Sequence, residues 1–395
     1  MSNRARKAIF LTFLAVFFAV GVPLALLSCG YKFRFDTFNF TKSGGLYVRS
    51  IPVDVKIQIN GKAVPNNAGI LNNGTLISGL ASGKYELRVS KEGYRPFSAS
   101  AEIIPLQAAS FDKLVLVPET FSSYFTGDVS DFFIKGDEAI IRDSAGKLRY
   151  KNQIIAGENF EFFTADGKSV VTSISSEKTK TYFLVSLSNT RVSTNINGIF
   201  WSLKSGVLKL PGEVPIQAMA PHPYDGDKLL ISTSAAFYMV DIKTLTITRG
   251  NETADRIYQE NSSVYFVKDN SLVGYNVILK SSTPIISVKE SKLITVSPSG
   301  RKIAILWNNR ILEIYDVDNK KSLRFNLEDL GDIKDIFWHK NSGYVFIHSE
   351  DNLHFLYAER ENINPQVICE GVSEAKYADN ALYVLSGKEI KTLKF

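Results

Sequence analysis

The chain changes hydrophobic period twice along its length. Ala8 to Cys29 is a run of 22 residues without a charge. At 1.5 Å per residue, a helix of that length covers the roughly 30 Å hydrocarbon core of a bilayer. The pattern therefore predicts a transmembrane anchor over 8–30 behind a short tail at 1–7, with Pro23 placed to kink its outer third. After a linker over 31–43, rich in aromatics, the period becomes two. "VKIQI" (Val55 to Ile59) alternates apolar and polar residues ahead of Asn60-Gly61, a strong hairpin signal, and "KAV" begins the return strand. In "YELRV", Tyr85, Leu87 and Val89 face one way while Glu86 and Arg88 face the other, between turns at Gly83 and Gly93. "SASAEI" and "LVLV" add further strands, so 44–118 reads as a small antiparallel β-sandwich of six or seven short strands.

Beyond residue 118 one plan recurs: an apolar strand, a polar turn, a second strand, a short turn and a third strand. Aligned on Gly136, Gly167, Gly226, Ser262, Gly300, Gly343 and Asn380, the turns are spaced by 31, 59, 36, 38, 43 and 37 residues. About forty residues per four-stranded sheet is the arithmetic of a β-propeller, in which radial repetition leaves few open edges. The prediction is an all-β chain behind its helix, with a propeller of about seven blades over 119–395. The 59-residue gap, which holds "NGIFWSLKSGVLKLPG" (Asn197 to Gly212), leaves room for an extra hairpin or an eighth blade. The last blade ends on its third strand, and "FSSYF" (Phe121 to Phe125) is positioned to supply the fourth and close the ring.

Two family resemblances rest on these residues. Gly45-Leu46-Tyr47-Val48 with Ser50 and Pro52, Ile57 to Gly61 ahead of Lys62, Leu80 with Gly83 and Tyr85, and Lys91 with Gly93 and Tyr94 follow the order and spacing of the PEGA domain. The namesake tetrapeptide departs, with Val53-Asp54-Val55 after Pro52, and "PNNAGILNNGT" (Pro65 to Thr75) reads as an inserted polar loop. The resemblance implies a non-catalytic module of the cell envelope or surface layer; a spacer with no partner of its own is the plainer reading. The turn "SPSGRKIAI" resembles TolB-type propellers, whose repeats carry Ser-Pro-Asp-Gly, with Ser299 here in place of Asp. WD-repeat signatures are absent.

Charge orients the anchor. The net charge is +6, and half of it comes from Arg4, Arg6 and Lys7 ahead of the apolar run. Positive residues before the helix place the N-terminus in the cytoplasm and the β domains outside. The remaining excess is too weak and dispersed to argue for nucleic acid. Only Cys29 and Cys369 are present, which excludes a disulfide framework and a cysteine zinc site. "LLSC" (Leu26 to Cys29) resembles a bacterial lipobox with Leu27 where a small residue is usual, so lipidation at Cys29 stands beside an uncleaved anchor and a cleaved signal peptide as an alternative.

Candidate chemistry is sparse. His222 and His339 occupy the slot before a blade turn that Ser297 holds in "VSPSG", a turn-capping position. His348 and His354 fall on adjacent strands of one hairpin, where a weak metal site is conceivable but a third ligand is missing. "DGD" (Asp225 to Asp227) and "DVDN" (Asp316 to Asn319) echo calcium loops without their glycine and distal glutamate, and read as turns. Trp201, Trp307 and Trp338 are candidates for a binding face. No nucleophile elbow, HExxH or phosphate loop occurs, so no catalytic residue, metal ligand or cofactor is expected. The expected protein is single-pass and membrane-bound, with its β domains extracytoplasmic, and its propeller binds an envelope protein or glycan or scaffolds the surface. The alternatives are a propeller hydrolase or lyase at the cell surface, or a lipoprotein with the same outer domains.

Overall fold

The computed structural model describes residues 3–28, 30–34, 39–69, 72–177, 179–211 and 213–395; Cys29, Phe35, Phe38 and Gly212 lie outside them. The chain forms two compact units, Met1–Glu119 and Thr120–Phe395.

The first unit begins with a helix, Asn3–Ser28, that contains Pro23. Its stretch Ile9–Leu26 has a mean hydropathy of 2.6 and no residue covered by protein. It is long and apolar enough to cross a membrane, and equally to serve as a signal sequence. The residues expected to form a linker instead contain a strand pair: Tyr31–Arg34 lies antiparallel to the start of Asn39–Ile51, with Phe33 opposite Phe40 and their rings 5.0 Å apart. A cross-strand aromatic pair gains more than two rings left in solvent, which accounts for order where sequence suggested a tether.

Two four-stranded sheets follow. In the second, Lys56–Ile59 turns into Lys62–Val64 through Asn60 and Gly61 at φ 48° and 75°, the positive pair a type I′ hairpin demands. Gly83–Lys91 alternates as expected: Leu87 and Val89 are buried while Glu86 and Arg88 are exposed. The sandwich is not wholly antiparallel, because Ala108–Val115 pairs parallel with Asn39–Ile51. That strand returns to the first sheet only after the chain has built the second, and local alternation carries no information about the direction of so distant a partner. Gly44 permits the close approach, since a Cβ there would lie 2.4 Å from the Ile104 carbonyl oxygen. At the departure from the PEGA tetrapeptide, Asp54 pairs with Lys91 at 2.5 Å.

Among its described residues, the second unit holds seven four-stranded sheets. Six are built from consecutive strands within 131–154, 159–195, 218–249, 256–287, 291–326 and 333–370, here blades 1 to 6. Blade 7 takes Glu374–Ala378, Ala381–Ser386 and Glu389–Lys394 from the end of the chain and Ser122–Thr126 from the beginning of the unit, with Ile390 opposite Phe125. The first strands of blades 7 and 1 are in contact, so the ring is closed. Both faces of each blade are apolar, and the core therefore lies between blades. Leu148, Val170 and Val185 fill the joint of blades 1 and 2, and Leu230, Phe237 and Phe266 that of blades 3 and 4. Leu312, Trp338 and Ile347 fill the joint of blades 5 and 6, and Phe132, Leu385 and Ile390 that of blades 7 and 1. Blades 6 and 7 meet through aromatic rings, among them Tyr377 and Phe346 stacked at 5.3 Å.

Among the described residues, the 59-residue gap contains neither an extra hairpin nor an eighth blade. It forms a helix, Ile196–Gly206, capped by the Asn195 side chain accepting from the Gly198 amide at 3.0 Å. Ile196, Phe200 and Leu203 recur at helical spacing and pack on Tyr238 and Ile247 of blade 3. Asn197 donates to the Lys180 carbonyl and accepts from the Tyr182 amide, which fastens the helix to blade 2.

Closure implies a specific energetic asymmetry. Ile390→Ala, fully buried where blade 7 meets blade 1, should cost about 2–4 kcal/mol in urea unfolding of the full chain in micelles. Ile154→Ala, on an exposed outer strand, should change stability by no more than about 0.5 kcal/mol.

Candidate functional site

The turn between the first and second strands follows one plan in blades 2, 3, 5 and 6, whereas blades 1, 4 and 7 turn through two residues, Gly136-Asp137, Asn261-Ser262 and Asp379-Asn380. In blade 5 the Ser297 amide donates to the Lys302 carbonyl, the Gly300 amide donates to Ser297, and Ser297 Oγ accepts from the Lys302 amide at 3.0 Å. Thr164 makes the same bonds in blade 2, its Oγ1 accepting from the Ser169 amide. His222 and His339 stand in the same slot, and each accepts through Nδ1 from the amide two residues on, at 3.3 Å. These histidines cap turns, as the repeat predicted. Gly300, at φ 67°, could not carry a side chain: a Cβ would sit 1.9 Å from Ser263 Oγ on the next turn.

The seven first strands and the turns that follow them enclose a cavity of about 910 Å³, with every blade contributing. Most of its lining residues fall in the latter halves of those strands and in the turns, including Lys135, Ala165, Pro223, Asn261, Pro298, Lys340 and Asp379, so it opens on the turn side. Apolar wall comes from Phe160, Phe162, Ile257, Ile294, Phe337 and Trp338. At the upper end of the range for small-ligand sites, the volume admits an extended ligand or a partner's side chains.

The charges on this wall have distinct environments. The Lys135 ammonium donates to the carbonyls of Thr164 and Ala165 at 2.8 and 3.2 Å; burial lowers its pKa below the usual lysine range against the opposing pull of Asp166, Glu260 and Asp379. Glu161 accepts from Ser173 Oγ at 2.6 Å and pairs with Lys180 at 2.8 Å. Asp379 accepts from the Gly136 amide, a link between blades 7 and 1. Glu260 has no hydrogen-bond or ion-pair partner among the described residues, and burial raises its carboxyl above the ordinary range, with Lys135 the opposing charge. No signal in the sequence marked Lys135 or Glu260, because their convergence depends on blades three apart in the ring.

The three tryptophans do not share a face. Trp338 is buried, lines the cavity and donates through Nε1 to the Thr295 carbonyl of blade 5 at 3.2 Å. Trp307 donates to Glu313, a buried carboxylate also bonded by Ser322 and Arg324. Trp201 lies on the helix between blades 2 and 3 and donates to the Val214 carbonyl at 3.0 Å. Of the three, Trp338 alone lines the cavity. Cys29 lies outside the described residues, and the Cys369 thiol donates to the Glu370 carbonyl at 3.7 Å. His348 and His354 do not form a pair: His354 is opposite Ile347, so strand alternation sends the two rings to opposite faces. His348 bonds the Val372 carbonyl and His354 the Ser349 hydroxyl. No group of three metal-ligating side chains occurs among the described residues. "DGD" and "DVDN" are turns, closed by Asp225 with Lys228 and by Asp316 with the Asn319 amide.

Residues 43–118 match the PEGA domain family. No curated protein matches the chain. Among solved structures, the crystal structure of the Cps50 (Swd1) beta-propeller domain of Myceliophteria thermophila is similar, at 12% sequence identity and a TM-score of 0.48, covering 70% of this chain and 100% of that one. The PEGA match and the closed ring of four-stranded sheets together give the expected combination of a PEGA domain and a propeller.

Acid should loosen the joint of blades 6 and 7. His339 lies among Tyr344, Phe355, Tyr377 and Phe395, and burial lowers its pKa from the usual 6.5 to about 4. Folding therefore favours the neutral ring. Stability is full above about pH 6.5 and falls as pH drops toward 4, by about 3 kcal/mol for this residue. His222, His348 and His354 are lowered by burial as well and add in the same direction. His339→Asn retains a turn-capping acceptor but removes the titration, so its unfolding free energy should decline less steeply between pH 6.5 and 4 than that of the wild type.

Proposed function

We propose that the protein is a non-catalytic, membrane-anchored component of the cell envelope, and that its propeller, held outside the membrane, binds a protein or glycan partner. The seven-walled cavity, open on the turn side, carries this reading. It combines an apolar, aromatic interior with a polar rim of turn residues, the composition of a recognition site. The PEGA match at 43–118 supports placement in the envelope, and the apolar stretch Ile9–Leu26, preceded on the same helix by Arg4, Arg6 and Lys7, supports a tether with the N-terminus inside. In this arrangement the helix fixes location, the PEGA unit provides a folded spacer, and the propeller presents the binding surface.

Two measurements on intact cells test it. With Cys29 and Cys369 both replaced by Ser, a cysteine introduced at exposed Ser144 should react with a membrane-impermeant maleimide, whereas one at Ser2 should react only after lysis. Proximity labelling from the propeller should enrich envelope proteins or glycans. Protection at position 144 together with labelling confined to cytoplasmic proteins would contradict both topology and function. Mass spectrometry of the N-terminus separates the anchors, since an intact Met1 or Ser2 excludes lipidation at Cys29.

A further inference from the structure

The cavity's charges are unevenly satisfied, and the imbalance suggests what it holds. Lys135 is bonded to two carbonyls, Glu161 is matched by Lys180, Asp379 is bonded to a backbone amide, and Lys340 is exposed to water on its turn. Glu260 remains a half-buried carboxylate with no donor among the described residues. It lines the channel together with Lys135, although the two belong to blades 4 and 1, which are not neighbours. Among the carboxylates of the cavity wall, Glu161 and Asp379 have donors and Glu260 has none among the described residues.

A carboxylate in an apolar concavity strongly favours a cation that supplies both charge and hydrogen-bond donors, because each group then replaces the water the other gives up. A bare metal ion is a poor match, since one carboxylate and an aromatic wall do not provide the six or so oxygen ligands a hard cation needs. An organic ammonium suits both features: its donors meet the carboxylate, and its hydrocarbon stem lies on apolar wall. We propose that the propeller cavity is a site for an alkylammonium group, bound at Glu260 with its stem against the apolar wall that includes Tyr258, Phe337 and Trp338.

The inference rests on reading the propeller as a binding unit and names the chemistry of that site. The group can arrive on a small free amine or on the lysine side chain of a protein partner. The test uses the full chain in micelles at low salt, with butylammonium as the free amine and two acetylated, amidated pentapeptides, Gly-Gly-Lys-Gly-Gly and its norleucine analogue. Saturable binding of an ammonium probe, at least tenfold tighter than the norleucine peptide and at least tenfold weaker in Glu260→Gln, is the expected result, with Glu260→Asp intermediate. A lysine peptide that binds more tightly than butylammonium assigns the site to a partner's side chain; the reverse order assigns it to a small amine. Equal affinity for the lysine and norleucine peptides, or undiminished ammonium binding in a folded Glu260→Gln, overturns the proposal. The lysine–norleucine comparison on the wild type decides the matter even if the variant does not fold. Failure here leaves the envelope topology and partner capture standing, since those are read by labelling in cells.

Discussion

Everything in the larger unit depends on one backbone pairing, that of Ser122–Thr126 with Glu389–Lys394. A blade has two apolar faces and cannot bury both alone, so each sheet is stable only between two others. A row of seven would still leave an apolar face at each end. Pairing the first strand of the unit with the last removes both ends together, and the joint it seals, with Phe132, Leu385 and Ile390 inside, resembles the other joints of the ring. The cavity follows from the same event: seven first strands enclose a channel only if the seventh blade meets the first.

The ring also explains how chemistry is placed. Side chains near the ends of the first strands converge from all blades regardless of their separation in sequence, which brings Lys135 and Glu260 into electrostatic contact across 125 positions. Groups elsewhere on the blades serve construction. Trp307 and Arg324 satisfy the buried carboxylate of Glu313, His222 and His339 close turns, and Asn197 fastens a helix to a sheet. Residue type alone does not separate these roles; radial position does.

Much of the fold was legible because its signals are local. Period-two alternation with turn residues gave the strands, the near-forty-residue recurrence gave seven blades, and "FSSYF" was recognisable as the missing strand. The helix at Ile196–Gly206 is marked by Ile196, Phe200 and Leu203 on its buried face, but one short helical period inside a chain of strand repeats is a weak signal against the blade period. The parallel pairing of Ala108–Val115 and the antiparallel pairing of Tyr31–Arg34 with the start of Asn39–Ile51 were not legible, since each is decided by a partner rather than by the segment itself. The site was scarcely legible at all: tryptophans were sensible candidates by type, yet Trp338 alone among them reaches the cavity, while Glu260 looked like any strand-end glutamate.

Amide hydrogen exchange of the full chain, comparing the closing strand pair with blade 3, tests the closed ring most directly. If closure completes a single cooperative unit, the hydrogen-bonded amides of Glu389–Thr392 should open with the same free energy as those of Leu229–Ser232, within about 1 kcal/mol. If the closing pair instead exchanges through an opening several kcal/mol easier while blade 3 stays protected, the ring is not held by that pairing and the cavity it defines is not a permanent feature of the protein.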